Sequence, residues 1–316
     1  MSKADILQEG EHIYYEPRKA TFRKECFDYI HKGIIDEEGN TWTTTEIDVV
    51  NYAQVYNRYR ALHGVPFPGE ISALRAYYGV SAAMMSEIMG FGTNQWRLYE
   101  TDEVPSESNA RAICAIRNKS VFLDFLEAAR CKIGDRAYTS IRERVAHLPD
   151  YVRISSPTET SGYVSYSAKK TSEAVKYFAR QMSGVFVTKM NKLLFYADFL
   201  KYKRKGEGMT GLEYRALTYG PVPNRYGEVY SRAEGVEMED FIYPDGTSGQ
   251  ILRAVCEPDL SVFSDGEKEI LAEVCELFRN ASAGSISETS HREKGWIDCE
   301  KGRNLIPYSY AFYLNE

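Results

Sequence analysis

Cysteine is scarce in this chain, and its cysteines lie too far apart in sequence to suggest a metal site. No CxxC pair occurs, and none of the five histidines offers ligands beside such a pair. Structural zinc sites need paired ligands at short spacing, so we predict no metal and no other cofactor. In a reducing compartment isolated cysteines act as small apolar residues. The six are Cys26, Cys114, Cys131, Cys256, Cys275 and Cys299.

Long apolar runs and an excess of basic residues are also absent. No run approaches the length of a bilayer span, and the start, MSKADILQEGEHIYYEP, lacks the basic-then-apolar profile of a secretory signal. The chain is therefore expected to be cytoplasmic and to have no membrane partner. Its net charge of −6 argues against a protein that coats nucleic acid nonspecifically, because phosphate binding needs a local excess of Lys and Arg. Any contact with DNA must come from a local patch.

Familiar catalytic motifs are missing as well. The sequence has no GxSxG, HExxH or phosphate-binding P-loop. His291 and Asp198 are conceivable as a catalytic histidine–carboxylate pair. The structural alternative is that Asp198 pairs with a lysine or caps a neighbouring backbone, while His291 and Trp296 close the core. Buried polar groups usually have hydrogen-bond partners of this structural kind, so we predict no catalytic residue and no enzyme.

The length and composition indicate more than one globular domain. The 316 residues are 43% hydrophobic and 27% charged, which is ordinary for folded proteins. Residues 148–169 are poor in aliphatic side chains and rich in Ser, Thr and Gly, which predicts a linker. We expect a hairpin and helix over residues 1–64, a helical module over residues 65–147 and a C-terminal domain over residues 170–316. The predicted fold class is mainly α with small β elements, an α+β protein.

Outside these functional regions the pattern predicts several simple elements. Residues 20–44 alternate as a short hairpin with a Glu38-Gly39-Asn40 turn, and Thr44 can cap the helix that follows. Two helices are expected between residues 120 and 147, and one in residues 223–233. Residues 241–255 resemble a hairpin around Asp245-Gly246, and residues 264–279 a capped amphipathic helix.

Residues 68–119 have the pattern of short consecutive helices. One helix covers residues 70–78 (EISALRAYY), a second covers residues 81–89, and a GFG turn leads into residues 93–100 (TNQWRLYE). Two short helices joined by a glycine-containing turn are the signature of the helix-turn-helix motif. This module resembles the Xre-type helix-turn-helix, in particular the form found in MqsA-type antitoxins.

The resemblance implies that residues 93–99 form a recognition helix. Its Thr93, Asn94, Gln95 and Arg97 would face the major groove, where such side chains can contact base edges. The chain departs from the pattern in having Ala82 where the family has Gln, an acidic Thr101-Asp102-Glu103 segment, an acidic local charge balance and no zinc-binding segment upstream. The alternative to DNA contact is that Thr93, Asn94 and Gln95 are simply the solvent-exposed start of a helix, in a module that serves only for dimerisation.

Residues 188–222 are the stretch around which the C-terminal half is organised. Apolar and aromatic residues cover nearly the whole circumference of a helix that begins here, so this helix must be buried. A strand over residues 212–219 follows and is expected to end at a rigid Gly220-Pro221 corner.

Four motifs in this half, KMNKLLFYADF, TGLEYRALTYGPVP, SHREKGW and IPYSYA, resemble the Panacea domain, also called SocA-like, over residues 170–315. The resemblance implies an antitoxin module that binds and neutralises a toxic partner protein, usually encoded beside it. Tyr226 and Tyr230 are either interface anchors or core residues with their hydroxyls at the rim. The domain-signature or toxin-contacting positions are Asn191, Asp198, Tyr219, Pro221, Tyr226, Tyr230, His291 and Trp296.

These observations lead to the hypothesis of a two-module antitoxin. The C-terminal domain would hold a cognate toxin by protein contact, and the helix-turn-helix, as a homodimer, would bind operator DNA and repress its own operon. The alternatives are a transcription regulator whose C-terminal domain senses a partner or ligand, an adaptor that delivers a partner to a protease, and a small hydrolase.

Overall fold

The structure is a computed structural model that describes residues 7–244 and 246–315. It is 52% helical with 17% strand, which confirms the predicted α+β fold class. The start of the chain and Asp245, at the predicted hairpin turn, lie outside the described residues.

The chain divides into two compact units. The helical unit comprises Thr21–Phe27 and Val55–Ser156, and the mixed unit comprises Met1–Ala20, Asp28–Gln54 and Pro157–Glu316.

The chain begins with a sheet of order β1-β2-β3 and a long helix. The predicted turn over residues 38–40 is confirmed, since the Gly39 N–H donates to the Asp36 carbonyl and the Asp36 N–H to the Asn40 carbonyl, each at 3.1 Å. The Thr44 cap is confirmed as well, since Thr44 Oγ1 accepts a hydrogen bond from the Ile47 N–H at 3.3 Å. The first two strands are longer than the predicted hairpin. The turn that joins β1 to β2 is Arg23-Lys24, which has left-handed φ values of 47° and 70° and contains no Gly or Asn. The elements are β1 (His12–Phe22), β2 (Glu25–Ile35), β3 (Thr41–Trp42) and α1 (Thr45–His63).

Two amide side chains of α1 bind the backbone of β2 within the mixed unit. Asn51 accepts a hydrogen bond from the Lys32 N–H at 2.9 Å and donates one to the Lys32 carbonyl at 3.0 Å. Gln54 makes the same pair with Ile30, at 3.0 and 2.8 Å. The β2–β3 pairing involves Ile34 and Ile35, so these amides satisfy backbone groups of β2 that β3 does not reach.

The helical unit packs six helices around an aromatic core. Tyr78 and Phe122 stack with ring centroids 3.7 Å apart, and Trp96 is fully buried in the same core. The buried Glu70 accepts hydrogen bonds from the Phe67 N–H and from Arg117, each at 2.8 Å. The helices are α2 (Pro68–Tyr78), α3 (Ala82–Met89), α4 (Gln95–Tyr99), α5 (Glu107–Ala115), α6 (Lys119–Ile133) and α7 (Asp135–Ala146).

The mixed unit is completed by α8 (Ala168–Gln181), β4 (Val185–Phe186), α9 (Val187–Lys205), β5 (Tyr214–Leu217), β6 (Gly220–Pro223), α10 (Tyr226–Ser231), β7 (Val236–Ile242), β8 (Ser248–Ala254), α11 (Asp265–Phe278), α12 (Ala283–Ser290) and α13 (Lys294–Glu300). This unit encloses one helix, α9, on nearly all sides, as its apolar circumference predicted. Helices α8, α11 and α12, strand β6 and a 3-10 helix (Tyr308–Tyr313) all pack against α9.

The predicted Gly220-Pro221 corner is wrong, because these residues begin strand β6. Leu217 pairs with Gly220 and Ala216 with Pro221, so the chain reverses at Thr218-Tyr219. Proline cannot donate to a ladder, but it is accommodated at the edge of this two-stranded sheet. Gly220 has φ of 102°, and a Cβ there would lie 2.3 Å from Ser290 Oγ, so glycine is required.

The remaining predictions for this unit hold with shifted boundaries. Strands β7 and β8 pair antiparallel from Val236↔Ala254 to Ile242↔Ser248, so the hairpin is confirmed but begins earlier than residue 241. Helix α11 begins with a capping box in which Ser264 and Glu267 bond each other's backbone N–H.

Candidate functional site

The Asp198 carboxylate is the fully buried centre of a hydrogen-bond network. Its Oδ1 accepts from the Met209 and Thr210 N–H groups at 2.7 and 2.8 Å. Its Oδ2 accepts from Thr210 Oγ1 at 2.6 Å and from Tyr214 Oη at 2.7 Å. Burial raises the pKa of this carboxyl, and the four hydrogen bonds oppose that shift. Asp198 therefore caps the backbone that leads from α9 into β5.

Further residues of the C-terminal motifs form two separate hydrogen-bonded groups inside the fold. The Tyr230 hydroxyl donates to Asn191 Oδ1 at 2.6 Å, and both residues are buried. Glu293 accepts hydrogen bonds from the Tyr196 hydroxyl at 3.0 Å and from the Asn315 N–H at 3.1 Å. Burial raises the pKa of Glu293. These contacts join α9 to α10, to the segment before α13 and to the end of the chain.

His291 and Trp296 form a stacked pair beneath the β5–β6 turn. Their rings are 4.1 Å apart, and the Trp296 indole N–H donates to the Leu217 carbonyl at 2.9 Å. His291 is hydrogen-bonded to the Thr218 backbone, and its pKa is lowered by burial and then by the charge of Lys192. Nothing in the described part of the chain bonds its buried Nε2.

Lys192 of α9 is the buried cation beside this pair. It is 0% exposed, and its Nζ has no hydrogen-bond partner among the described residues. Burial lowers its pKa from 10.5 to about 8. Gly220 packs against it, because a Cβ on Gly220 would lie 2.8 Å from Lys192 Cε.

Asp198 and His291 do not form the catalytic pair considered from the sequence. The donors that bond Asp198 are Met209, Thr210 and Tyr214, whereas His291 bonds the Thr218 backbone and stacks on Trp296. The carboxylate is occupied and fully buried, so it cannot take a proton from an imidazole or a substrate without breaking the network.

Two of the motif tyrosines reach the surface, unlike the buried Asn191, Asp198, Pro221 and Tyr230. Tyr219, at the tip of the β5–β6 turn, is 73% exposed, and Tyr226, at the start of α10, is 41% exposed. Since Tyr230 is buried, only Tyr226 of that pair can anchor an interface. A cavity of about 420 Å³ lies beside it, between β5, β6 and α10.

In the helical unit, the predicted recognition helix is shorter than the sequence indicated. Asn94 has a left-handed φ of 68°, so α4 starts at Gln95 and excludes Thr93 and Asn94. Thr93, Asn94 and Arg97 are exposed, and Gln95 donates to Glu103 Oε1 at 2.8 Å. Trp96 and Tyr99 turn inward. Thr93 and Asn94 thus precede α4, Gln95 is its first residue and is already engaged, and Arg97 lies in the middle of the helix.

Neither a metal site nor a membrane span emerges from the described residues. No cluster of three or more His, Cys, Asp or Glu there could hold a metal ion. Over the same residues, every helix is too short or too polar to cross a bilayer.

Lys192 and Arg225 were not recognised as candidates from the sequence. Lys192 lies on the helix that the apolar pattern marked as buried, so its burial could have been inferred from its position. Arg225 has left-handed backbone, φ 57°, directly before α10. The residue types that favour this conformation, Asn224 and Gly227, stand at neighbouring positions, so the sequence does not mark position 225.

Comparison with known families matches residues 190–297 to the family described as Antitoxin SocA-like, Panacea domain. The match covers most of the resemblance predicted for residues 170–315 and supports an antitoxin role. Comparisons with curated proteins and with solved structures gave no match.

We predict that Lys192→Met stabilises the protein near neutral pH. At that pH the amine is protonated in both states and is buried without a partner, so the variant should gain up to about 3 kcal/mol. Between the folded pKa of about 8 and the ordinary value of 10.5, the unfolded state binds more protons, so wild-type stability rises with pH. The advantage of the variant should therefore shrink through this window. Urea unfolding across the pH range measures it.

Lys201→Met serves as the control, since Lys201 is paired with Glu207 at 2.9 Å. It should give no gain. A Lys192→Met protein less stable than wild type at neutral pH would contradict the prediction, because it would show that other interactions stabilise the buried ammonium.

Proposed function

We propose that this chain is a cytoplasmic antitoxin whose C-terminal domain, residues 170–316, neutralises a toxin by binding it. The match of residues 190–297 to the SocA-like antitoxin family carries this proposal. Toxin and antitoxin would form a stoichiometric complex in which the toxin's active surface is covered. The chain itself would perform no reaction.

The arrangement of the motif residues supports binding rather than turnover. Asp198, Asn191 and Glu293 are hydrogen-bonded to other residues of the fold, so they are engaged in holding it together. Tyr219 and Tyr226 project outward, and tyrosine is a good interface anchor because its ring is large and its hydroxyl polar. The exposed part of the motif is therefore suited to contact another protein.

We propose in addition that residues 65–147 bind operator DNA as a helix-turn-helix, with the chain acting as a homodimer that represses its own operon. The succession of α2, α3 and α4, with glycine ends at Gly79 and Gly90, supports this reading. Exposed Thr93, Asn94 and Arg97 would approach the major groove. The compact units divide residues 1–64 between them, and the boundary in the predicted linker over residues 148–169 falls after Ser156.

Co-expression with the neighbouring reading frame tests the antitoxin proposal. We expect the neighbouring product to stop growth alone, and the full-length chain to restore it through a complex that co-purifies at a fixed ratio. A neighbouring product that is harmless alone, or that remains toxic beside this chain, would contradict the proposal.

His291→Ala separates binding from chemistry in the same assay. We expect it to lower stability through loss of the Trp296 stack, and to retain protection in the folded fraction. A fully folded variant that binds the toxin without protecting would instead indicate a reaction at this residue.

For the DNA proposal, Arg97→Ala should weaken binding to the DNA upstream of the reading frame by about 1 to 3 kcal/mol and leave toxin protection unchanged. Mobility-shift titration at low salt measures the effect. Arg136→Ala is the matched control, because Arg136 is exposed on α7 of the same unit. No shift with the wild-type protein would rule the proposal out.

A further inference from the structure

The cavity beside Tyr226 has a distinctive lining. Its walls include the aliphatic or ring surfaces of Leu217, Pro223 and Tyr226, and its charged groups are Arg215, Arg225 and Glu228. Arg225, Tyr226 and Glu228 are exposed, so the cavity is accessible from solvent. Its volume of about 420 Å³ is sufficient for one or two amino-acid side chains.

One of the two guanidinium groups is held in position. Arg215 donates from Nη1 to the Arg303 carbonyl at 2.9 Å and from Nε to Asn224 Oδ1 at 3.5 Å. Asn224 is in turn held by Glu213, through its backbone N–H at 2.7 Å and its side-chain amide at 3.3 Å. Arg215 therefore presents a cation that two hydrogen bonds already orient before a partner arrives.

The second guanidinium is uncommitted. Arg225 forms no hydrogen bond or ion pair through its side chain with any residue that the structure describes. Its backbone is left-handed, φ 57°, where its carbonyl accepts the first hydrogen bonds of α10 from Glu228 and Val229. Glycine or asparagine would occupy that conformation at lower cost. Strained backbone of this kind is concentrated at functional sites.

The charges and the apolar walls together define the ligand class. The lining carries two guanidinium groups and one carboxylate, so its charge balance is positive and favours an anion. Guanidinium binds carboxylate through two parallel hydrogen bonds and stays protonated under all ordinary conditions. The apolar walls add a surface for aliphatic or aromatic groups next to that anion, which free phosphate or a nucleic-acid backbone would leave unused.

We propose that this cavity receives an acidic side chain from the toxin, flanked by an apolar residue, and that Arg225 closes onto its carboxylate. The inference rests on the proposed antitoxin function and locates its docking point. Arg215 supplies the fixed positive charge, Arg225 the adjustable one, and Tyr226 the apolar contact. Glu228 sets a limit on affinity by repelling the same carboxylate.

The test measures binding of the purified full-length chain to the purified product of the neighbouring reading frame by calorimetry. Arg225→Glu should weaken binding at least about tenfold, because it places like charges together. Arg232→Glu is the matched control, since Arg232 is exposed at the other end of α10 and outside the cavity lining. It should bind as wild type does. Glu228→Gln should bind more tightly.

Arg225→Gly separates a binding defect from a folding defect. Glycine suits the left-handed backbone, so this variant should melt at or above the wild-type temperature and still bind weakly. An Asp or Glu to Lys change in the toxin that restores binding to Arg225→Glu would identify the acidic side chain directly.

The outcomes distinguish the inference from the proposed function. If the wild-type chain does not bind the toxin, the antitoxin proposal fails. If it does bind, and Arg225→Glu and Arg225→Gly bind equally well, the docking point is wrong while the function stands. Loss of duplex DNA binding in Arg225→Glu with toxin binding intact would also overturn the assignment.

Discussion

The mixed unit depends on one buried carboxylate. Asp198 lies on α9, a helix enclosed by protein on nearly all sides, and a charge there has no access to water. An isolated carboxylate in such a place is strongly unfavourable, and it persists because four donors bond it. Those donors belong to the segment from Met209 to Tyr214, so the interaction fixes where the chain leaves α9 and enters β5.

The positions of the exposed residues of this unit follow from the hydrogen bonds between Asp198 and the segment that leads into β5. Strand β5 pairs with β6 through a two-residue turn that carries Tyr219, and β6 leads through Arg225 into α10 and Tyr226. The Tyr230–Asn191 hydrogen bond ties α10 back to α9. The buried motif residues thus hold a scaffold, and the exposed ones present a surface. The proposed antitoxin function requires such an exposed surface on a fixed scaffold.

The buried elements could be predicted from the sequence because their patterns are local. The apolar circumference of α9 indicated complete burial, and Ser264 with Glu267 marked the start of α11. The Asp198 cap was among the alternatives considered, because a carboxylate on an apolar helix must find donors. Its donors were not predictable, since they lie in a loop whose path depends on the packing.

Other features could not be inferred because they depend on tertiary context. Pro221 suggested a corner, yet it lies in a strand because its missing N–H faces no partner at the sheet edge. The Arg23-Lys24 turn and Arg225 have left-handed backbone without the residue types that favour it. Lys192 is isolated because no acidic side chain in the described part of the chain pairs with its ammonium, and sequence spacing does not show that such a partner is missing.

The most direct test of this account is amide hydrogen exchange on Asp198→Ala, measured together with toxin neutralisation. The variant leaves the Met209 and Thr210 N–H groups without their acceptor. We predict that amides of residues 209–217 lose protection, that those of α11 stay protected, and that neutralisation is lost. Neutralisation that survives while residues 209–217 exchange freely would contradict the claim that this buried carboxylate supports the binding surface.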